Sequence, residues 1–140
     1  MSERVTGAAT LFVYDDGGRA DAGFKGEAGD CATRAIAIAT GLPYREVYDA
    51  LAKLAGKSVR DGTPARTSKR FLADLGWTWT PTMGIGTGCR VHLRARELPP
   101  GRLVVRCSKH WAAVIDGVIH DTHDPSRDGT RCVYGYWSGP

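Results

Sequence analysis

Read for period alone, the chain divides into a helical half and a strand half. From Cys31, apolar residues recur at Ala32, Ala35, Ile36 and Ala39, Ile38 widens the stripe, and the run stops at Gly41. A second helix is expected from Pro43, whose fixed φ suits a first turn, to Gly56, which suits a helix end. Within it Tyr44, Val47, Tyr48, Leu51 and Leu54 line one face, while Arg45, Glu46, Asp49 and Lys53 are placed towards water. So short a link makes the two helices packing neighbours. Thr67 is the expected cap of a third, short helix through Phe71, Leu72 and Leu75, ended by Gly76.

On either side of the helices the period is two. Thr10 to Tyr14 reads as a short strand closed by Asp15-Asp16-Gly17-Gly18, after which residues 17–29 are glycine-rich and irregular. Trp77 to Thr80 alternates, and Pro81 limits its extent. Gly84, Gly86 and Gly88 mark a loop whose spacing is not that of a dinucleotide-binding turn. From Arg102 strands dominate: a core strand at Leu103-Val104-Val105, a turn at Ser108-Lys109, a strand from His110 to Ile115, and Val118 to Asp121 beyond an Asp116-Gly117 hairpin turn. The last run is Cys132 to Trp137. Helices first and strands afterwards predict an α+β fold, with N-terminal helices packed on a C-terminal, largely antiparallel sheet. No repeat or boundary appears, so residues 1–140 read as one domain.

Composition narrows the function classes. A chain of 140 residues can bury a core without metal or disulfide staples, and 42% hydrophobic with 24% charged residues is ordinary for a globular protein. No apolar run approaches a membrane span, and Met1-Ser2-Glu3-Arg4 does not begin a secretory leader, so a cytoplasmic protein is expected. Cys31, Cys89, Cys107 and Cys132 form no Cys-x-x-Cys pair, and their even number leaves disulfides undecided. Cys107 with His110, and His120 with His123, offer two metal ligands each, too few for a site, so no metal or cofactor is expected.

The candidate chemistry starts at Asp30-Cys31. Asp30 is a good N-cap, and a cysteine at the first helical position meets the positive end of the helix dipole, which favours thiolate. The same cysteine also suits the plain role of a small buried residue opening a core helix. This stretch alone leaves both readings standing.

The hairpin adds the second half. With a two-residue turn at Asp116-Gly117, Ile115 faces Val118, Val114 faces Ile119, Ala113 faces His120, Ala112 faces Asp121 and Trp111 faces Thr122. Alternation then puts His110 on the same face as Asp121, diagonally about 7–8 Å apart along the backbone, while Asp124 has the other parity. An imidazole can take the thiol proton, and a carboxylate beyond it fixes the ring and stabilises the imidazolium. With the helix-opening cysteine, the histidine and the acid all present, a Cys31-His110-Asp121 triad is the preferred reading over a hairpin that merely satisfies itself.

That chain order, a cysteine opening a helix, a histidine opening a strand and an acid on the next strand, resembles papain-like cysteine peptidases. The compact length and the stretch from His110 to Asp121 look more like small bacterial members, such as bacteriocin-leader peptidases, and the wording around Gly29-Asp30-Cys31 resembles small phage and prophage proteins. The likeness covers most of residues 24–137 as an order of elements, with two short local motifs. It implies a papain-like fold, Cys31 as nucleophile, His110 as general base and acid, Asp121 as the group orienting His110, and a peptide or protein substrate cleaved through an acyl-enzyme.

One position departs from that pattern. These peptidases carry a glutamine upstream of the cysteine to donate to the oxyanion, and Phe24 to Asp30 contains none. Lys25 is the replacement donor in reach, beside the N–H of Cys31; an ionised Glu27 is not. Loss of one such donor costs about 3–4 kcal/mol in the transition state. The alternative function is therefore a catalytically impaired papain-like scaffold, a phage-encoded protein that binds a host macromolecule.

Basic residues gather at Arg60, Arg66, Lys69 and Arg70 and again at Arg90, Arg94, Arg96, Arg102 and Arg106, with Trp77 and Trp79 between them. Phosphate contacts and base stacking would suit such a set, but a net charge of +4 makes nucleic acid the less favoured partner and a solvated surface the preferred reading. His92 has no partner recognisable from sequence.

Overall fold

The computed structural model describes residues 11–25, 29–84, 86–94 and 96–140; the expectations for residues 1–10 and for Glu27 lie outside them. The order is β1 (Leu11–Tyr14), α1 (Cys31–Thr40), α2 (Tyr44–Ala55), α3 (Ala65–Asp74), β2 (Thr78–Pro81), β3 (Arg102–Cys107), β4 (His110–Ile115), β5 (Val118–Asp121) and β6 (Val133–Ser138). It is an α+β arrangement of three helices and a six-stranded mixed sheet ordered β1-β5-β4-β3-β6-β2. Four of the five strand pairings are antiparallel, but β1 runs parallel to β5, which alternation within a single strand cannot reveal. No helix among the described residues is long and apolar enough to cross a membrane.

Strand alternation divides the molecule into two cores. Val104, Ala113 and Trp137 lie opposite one another in the register and pack with Trp111 against α1 and α2. The intervening positions Leu103, Val105, Val114 and Ile119 join Leu93, Leu98 and Val133 on the other face. Helix α1 is buried at every position from Ala32 to Ala39, Thr33 and Arg34 included, so the expected stripe is a fully enclosed helix. Its alanines let it lie close to β4, and Arg102 Nη1 donates to the carbonyls of Ile38 and Ala39 near its negative end. In α2, Val47 and Leu51 are fully enclosed, whereas Leu54 on the same expected face is exposed. Helix α3 begins after Pro64, three residues earlier than a Thr67 cap requires, and Thr67 is buried inside it.

The hairpin that carries the chemistry forms as its turn dictates. Asp116 and Gly117 take φ of 50° and 83°, the left-handed pair that matches strand twist, and the ladder pairs Ile115 with Val118, Val114 with Ile119 and Ala113 with His120. Pairing with β4 stops there: the expected facing of Ala112 with Asp121 and Trp111 with Thr122 is not part of the ladder, Asp121 pairing instead with Tyr14 of β1 and Thr122 lying beyond β5. At the other side of the sheet Gly135 of β6 accommodates Trp79, whose ring would come within 2.4 Å of any Cβ at that position. Cys89 and Cys132 are joined in a disulfide with their Cα atoms 5.7 Å apart, so neither the loop cysteine nor the one before β6 is a free thiol; Cys31 and Cys107 are free.

Candidate active site

Three element ends converge. Cys31 is the first residue of α1, His110 the first of β4 after the tight Ser108-Lys109 turn, and Asp121 the last of β5. Cys107 pairs with His110 across that turn, and Lys109 takes φ of 56°, which reverses the chain within two residues. His110 Nε2 lies 2.7 Å from Asp121 Oδ2, the direct contact expected from face parity, while exposed Asp124 instead accepts the Ser126 N–H at 2.9 Å. Cys31 and His110 line one cleft and act on each other's titration, and with Nε2 committed to Asp121 the ring nitrogen left for the sulfur is Nδ1. The Trp111 main chain also favours the Cys31 thiolate.

The electrostatics favour an ion pair. Burial opposes the Cys31 thiolate, but the hydrogen bond and charge of His110, the Trp111 N–H and the Arg34 guanidinium outweigh it and hold the thiol below its ordinary value. Burial likewise opposes the imidazolium, yet Asp121 and Cys31 raise His110 to about 9. Asp121 is held low against its own burial by His110, the Thr122 N–H and Arg34. The free cysteine without such neighbours behaves oppositely: burial pushes Cys107 up to about 11.

Sequence reasoning missed Arg34. Its guanidinium sits on the buried carboxylate of Asp30 through Nη1 and 3.4 Å from Asp121 Oδ1 through Nη2. Asp30 also faces Arg19 Nε at 3.1 Å and accepts the Tyr44 hydroxyl. The result is a run in which acidic and basic groups alternate, Cys31, His110, Asp121, Arg34, Asp30 and Arg19. The readable signal was a lone arginine in an otherwise apolar helix, four residues after an aspartate.

Asp30 is accordingly not the expected cap. No side chain caps α1, because two guanidiniums and a phenol draw the Asp30 carboxylate away from the first turn. The N–H groups at the helix start therefore stay available beside the thiol. A cleft of about 510 Å³ opens there, lined by Gly29, Cys31, Ala32, Asp61, His110 and Trp111 among others. Lys25 does not line it. Its carbonyl accepts from Arg19 and Arg60, each at 3.2 Å, and it borders a second cavity of about 810 Å³ with Arg19, Asp30 and Arg34.

Several other candidates have structural partners. His92 has a partner after all, Nδ1 lying 3.0 Å from Glu97 Oε1. Arg94 Nε donates to the Gly129 carbonyl at 2.7 Å, Lys69 lies 5.9 Å over the Trp79 ring and Arg106 5.7 Å over Trp111. Comparison with protein-family models, curated proteins and solved structures finds no match for this chain.

Proposed function

We propose that the chain is a cysteine-nucleophile hydrolase of papain-like design that cleaves a peptide or amide bond through an acyl-enzyme on Cys31. The observation that carries the reading is the placement of His110, with one ring nitrogen on Asp121 and the ring lining the same cleft as the helix-opening Cys31. In the first half-reaction the Cys31 thiolate attacks the carbonyl carbon, and the His110 imidazolium gives its Nδ1 proton to the leaving amine as the C–N bond breaks. In the second, neutral His110 takes a proton from water, the hydroxide adds to the thioester carbonyl, and the C–S bond breaks to release the acid. Asp121 holds the ring in register throughout and stabilises its charged form.

The oxyanion is assigned to main-chain donors. With Lys25 bordering the neighbouring cavity and the Asp30 carboxylate withdrawn, the Cys31 and Ala32 N–H groups at the start of α1 are the donors beside the cleft. This supports an active enzyme over an impaired scaffold, since the glutamine of the papain pattern has a substitute in the uncapped helix.

Acylation tests the reading directly. Incubation with a panel of peptidyl thioesters and activated amides, followed by intact mass spectrometry, is expected to give an acyl adduct on Cys31 and multiple turnovers. Cys31→Ser should give neither. Adduct formation no faster than on a free cysteine, without turnover, would remove the enzymatic reading.

A further inference from the structure

Sequence spacing offered two metal ligands in each of two segments. The fold takes His110 from the first and Asp121 and His123 from the second and brings them together: their ligand atoms all lie within 4.8 Å of one another. The His110 and His123 rings are 5.3 Å apart between centroids. His120 plays no part, its Nδ1 facing Asp15 Oδ2 at 3.5 Å.

We infer that His110, Asp121 and His123 form a binding site for one divalent transition-metal ion such as zinc, exclusive of the Cys31-His110-Asp121 hydrogen-bonded arrangement. Two imidazole nitrogens and a carboxylate oxygen are a zinc ligand set, whereas calcium and magnesium call for oxygen donors throughout. A tetrahedral ion with bonds of 2.0–2.1 Å needs ligand atoms about 3.3 Å apart. Reaching that spacing requires a small opening of the 2.7 Å contact between His110 Nε2 and Asp121 Oδ2 and a closing swing of His123. His123 is free to make it: it is exposed, and its one side-chain contact of this kind among the described residues is a 3.5 Å approach of Nδ1 to Thr122 Oγ1. Arg34 stays with the other oxygen, Oδ1, and leaves Oδ2 for the ion. His123 borders both cavities, which supplies an entry route and an open coordination position for water.

Occupancy changes what His110 can do. The ion enters at Nε2 as the proton there leaves to solvent, and the hydrogen bond to Asp121 is replaced by coordination. A ring coordinated through Nε2 keeps its Nδ1 proton at neutral pH, so it cannot pass that proton to a leaving amine. Zinc would thus inhibit, a consequence that rests on the hydrolase reading; the binding itself does not.

Calorimetric titration of Zn²⁺ into the full chain without reductant, compared among wild type, His123→Gln and Cys31→Ser, tests the site. The expected result is one zinc per chain, retained in Cys31→Ser and weakened roughly tenfold or more in His123→Gln. A thermal melt of His123→Gln coincident with wild type shows that the loss is local. Binding that survives in His123→Gln but vanishes in Cys31→Ser would overturn the site in favour of a thiolate-held ion, and absence of saturable binding in the wild type would overturn it outright. Hydrolysis is not needed for any of these outcomes, so they are separable from failure of the proposed function.

Discussion

Two regions of this molecule hold the same three chemical types and use them differently. At the start of α1 a cysteine, a histidine and a carboxylate meet as Cys31, His110 and Asp121; beyond β2, Cys89 and Cys132 lie near a His92-Glu97 pair, with Cys132 bridged to His92 by the backbone. In the second region the sulfurs are consumed by each other, and the histidine and carboxylate are about 30% exposed, 31% and 27%. In the first the side chains of His110 and Asp121 are 10% and 3% exposed, the thiol is free, and a buried arginine stands behind the acid. Burial magnifies each interaction, and the alternating order of charges turns that magnification towards thiolate and imidazolium. Inventory alone does not distinguish the regions; enclosure and order do.

The sharpest way to break this comparison is to remove each histidine. His110→Ala should reduce kcat/KM about 10²–10⁴-fold, as expected for loss of a general acid and base, while His92→Ala should leave turnover unchanged. Equal losses would mean that the two pairs are equivalent. Next come the arginines. Arg34→Met removes one cation from each of two buried carboxylates, leaving Asp30 with Arg19 and Tyr44 and Asp121 with His110, and should lower the unfolding free energy in urea by about 3–5 kcal/mol. Arg94→Met, which removes a part-exposed ion pair and one main-chain hydrogen bond, should cost about 1–2 kcal/mol.

Replacing both Cys89 and Cys132 with Ser should cost about 2–4 kcal/mol in the same assay and leave the alkylation rate of Cys31 unaltered, since the disulfide belongs to the other region. The smallest effect is expected at Asp124. Its loss to Ala should cost about 0.5–1.5 kcal/mol, from the Ser126 contact, with no change in Cys31 reactivity; Asp121→Asn should slow that reactivity.

What was legible in the sequence was what local geometry determines. Asp116-Gly117 defines a two-residue turn, and counting back from it places His110 and Asp121 on one face without knowledge of the rest of the fold. Gly41 and Gly56 end their helices for equally local reasons. What was not legible depends on distant partners. The parallel seating of β1 on β5 joins residues more than a hundred positions apart, and the Cys89-Cys132 bond spans 43. Asp30 shows local preference overridden: a good cap by type, it is drawn off by Arg34 one helical turn on and by the more distant Arg19 and Tyr44. Lys25 likewise lies at the neighbouring cavity, its main chain held by Arg19 and Arg60.

The account's central claim is that Cys31 exists as a thiolate paired with the His110 imidazolium at neutral pH. Its most direct test is the rate of Cys31 alkylation by iodoacetamide against pH, read residue by residue by mass spectrometry. The ion pair predicts substantial labelling well below the ordinary thiol range, with a second change as His110 loses its proton near 9, and negligible labelling of buried Cys107. In His110→Ala the acidic reactivity should disappear and the inflection return to about 8.5. A single inflection in the ordinary thiol range, the same in both proteins, would contradict the claim.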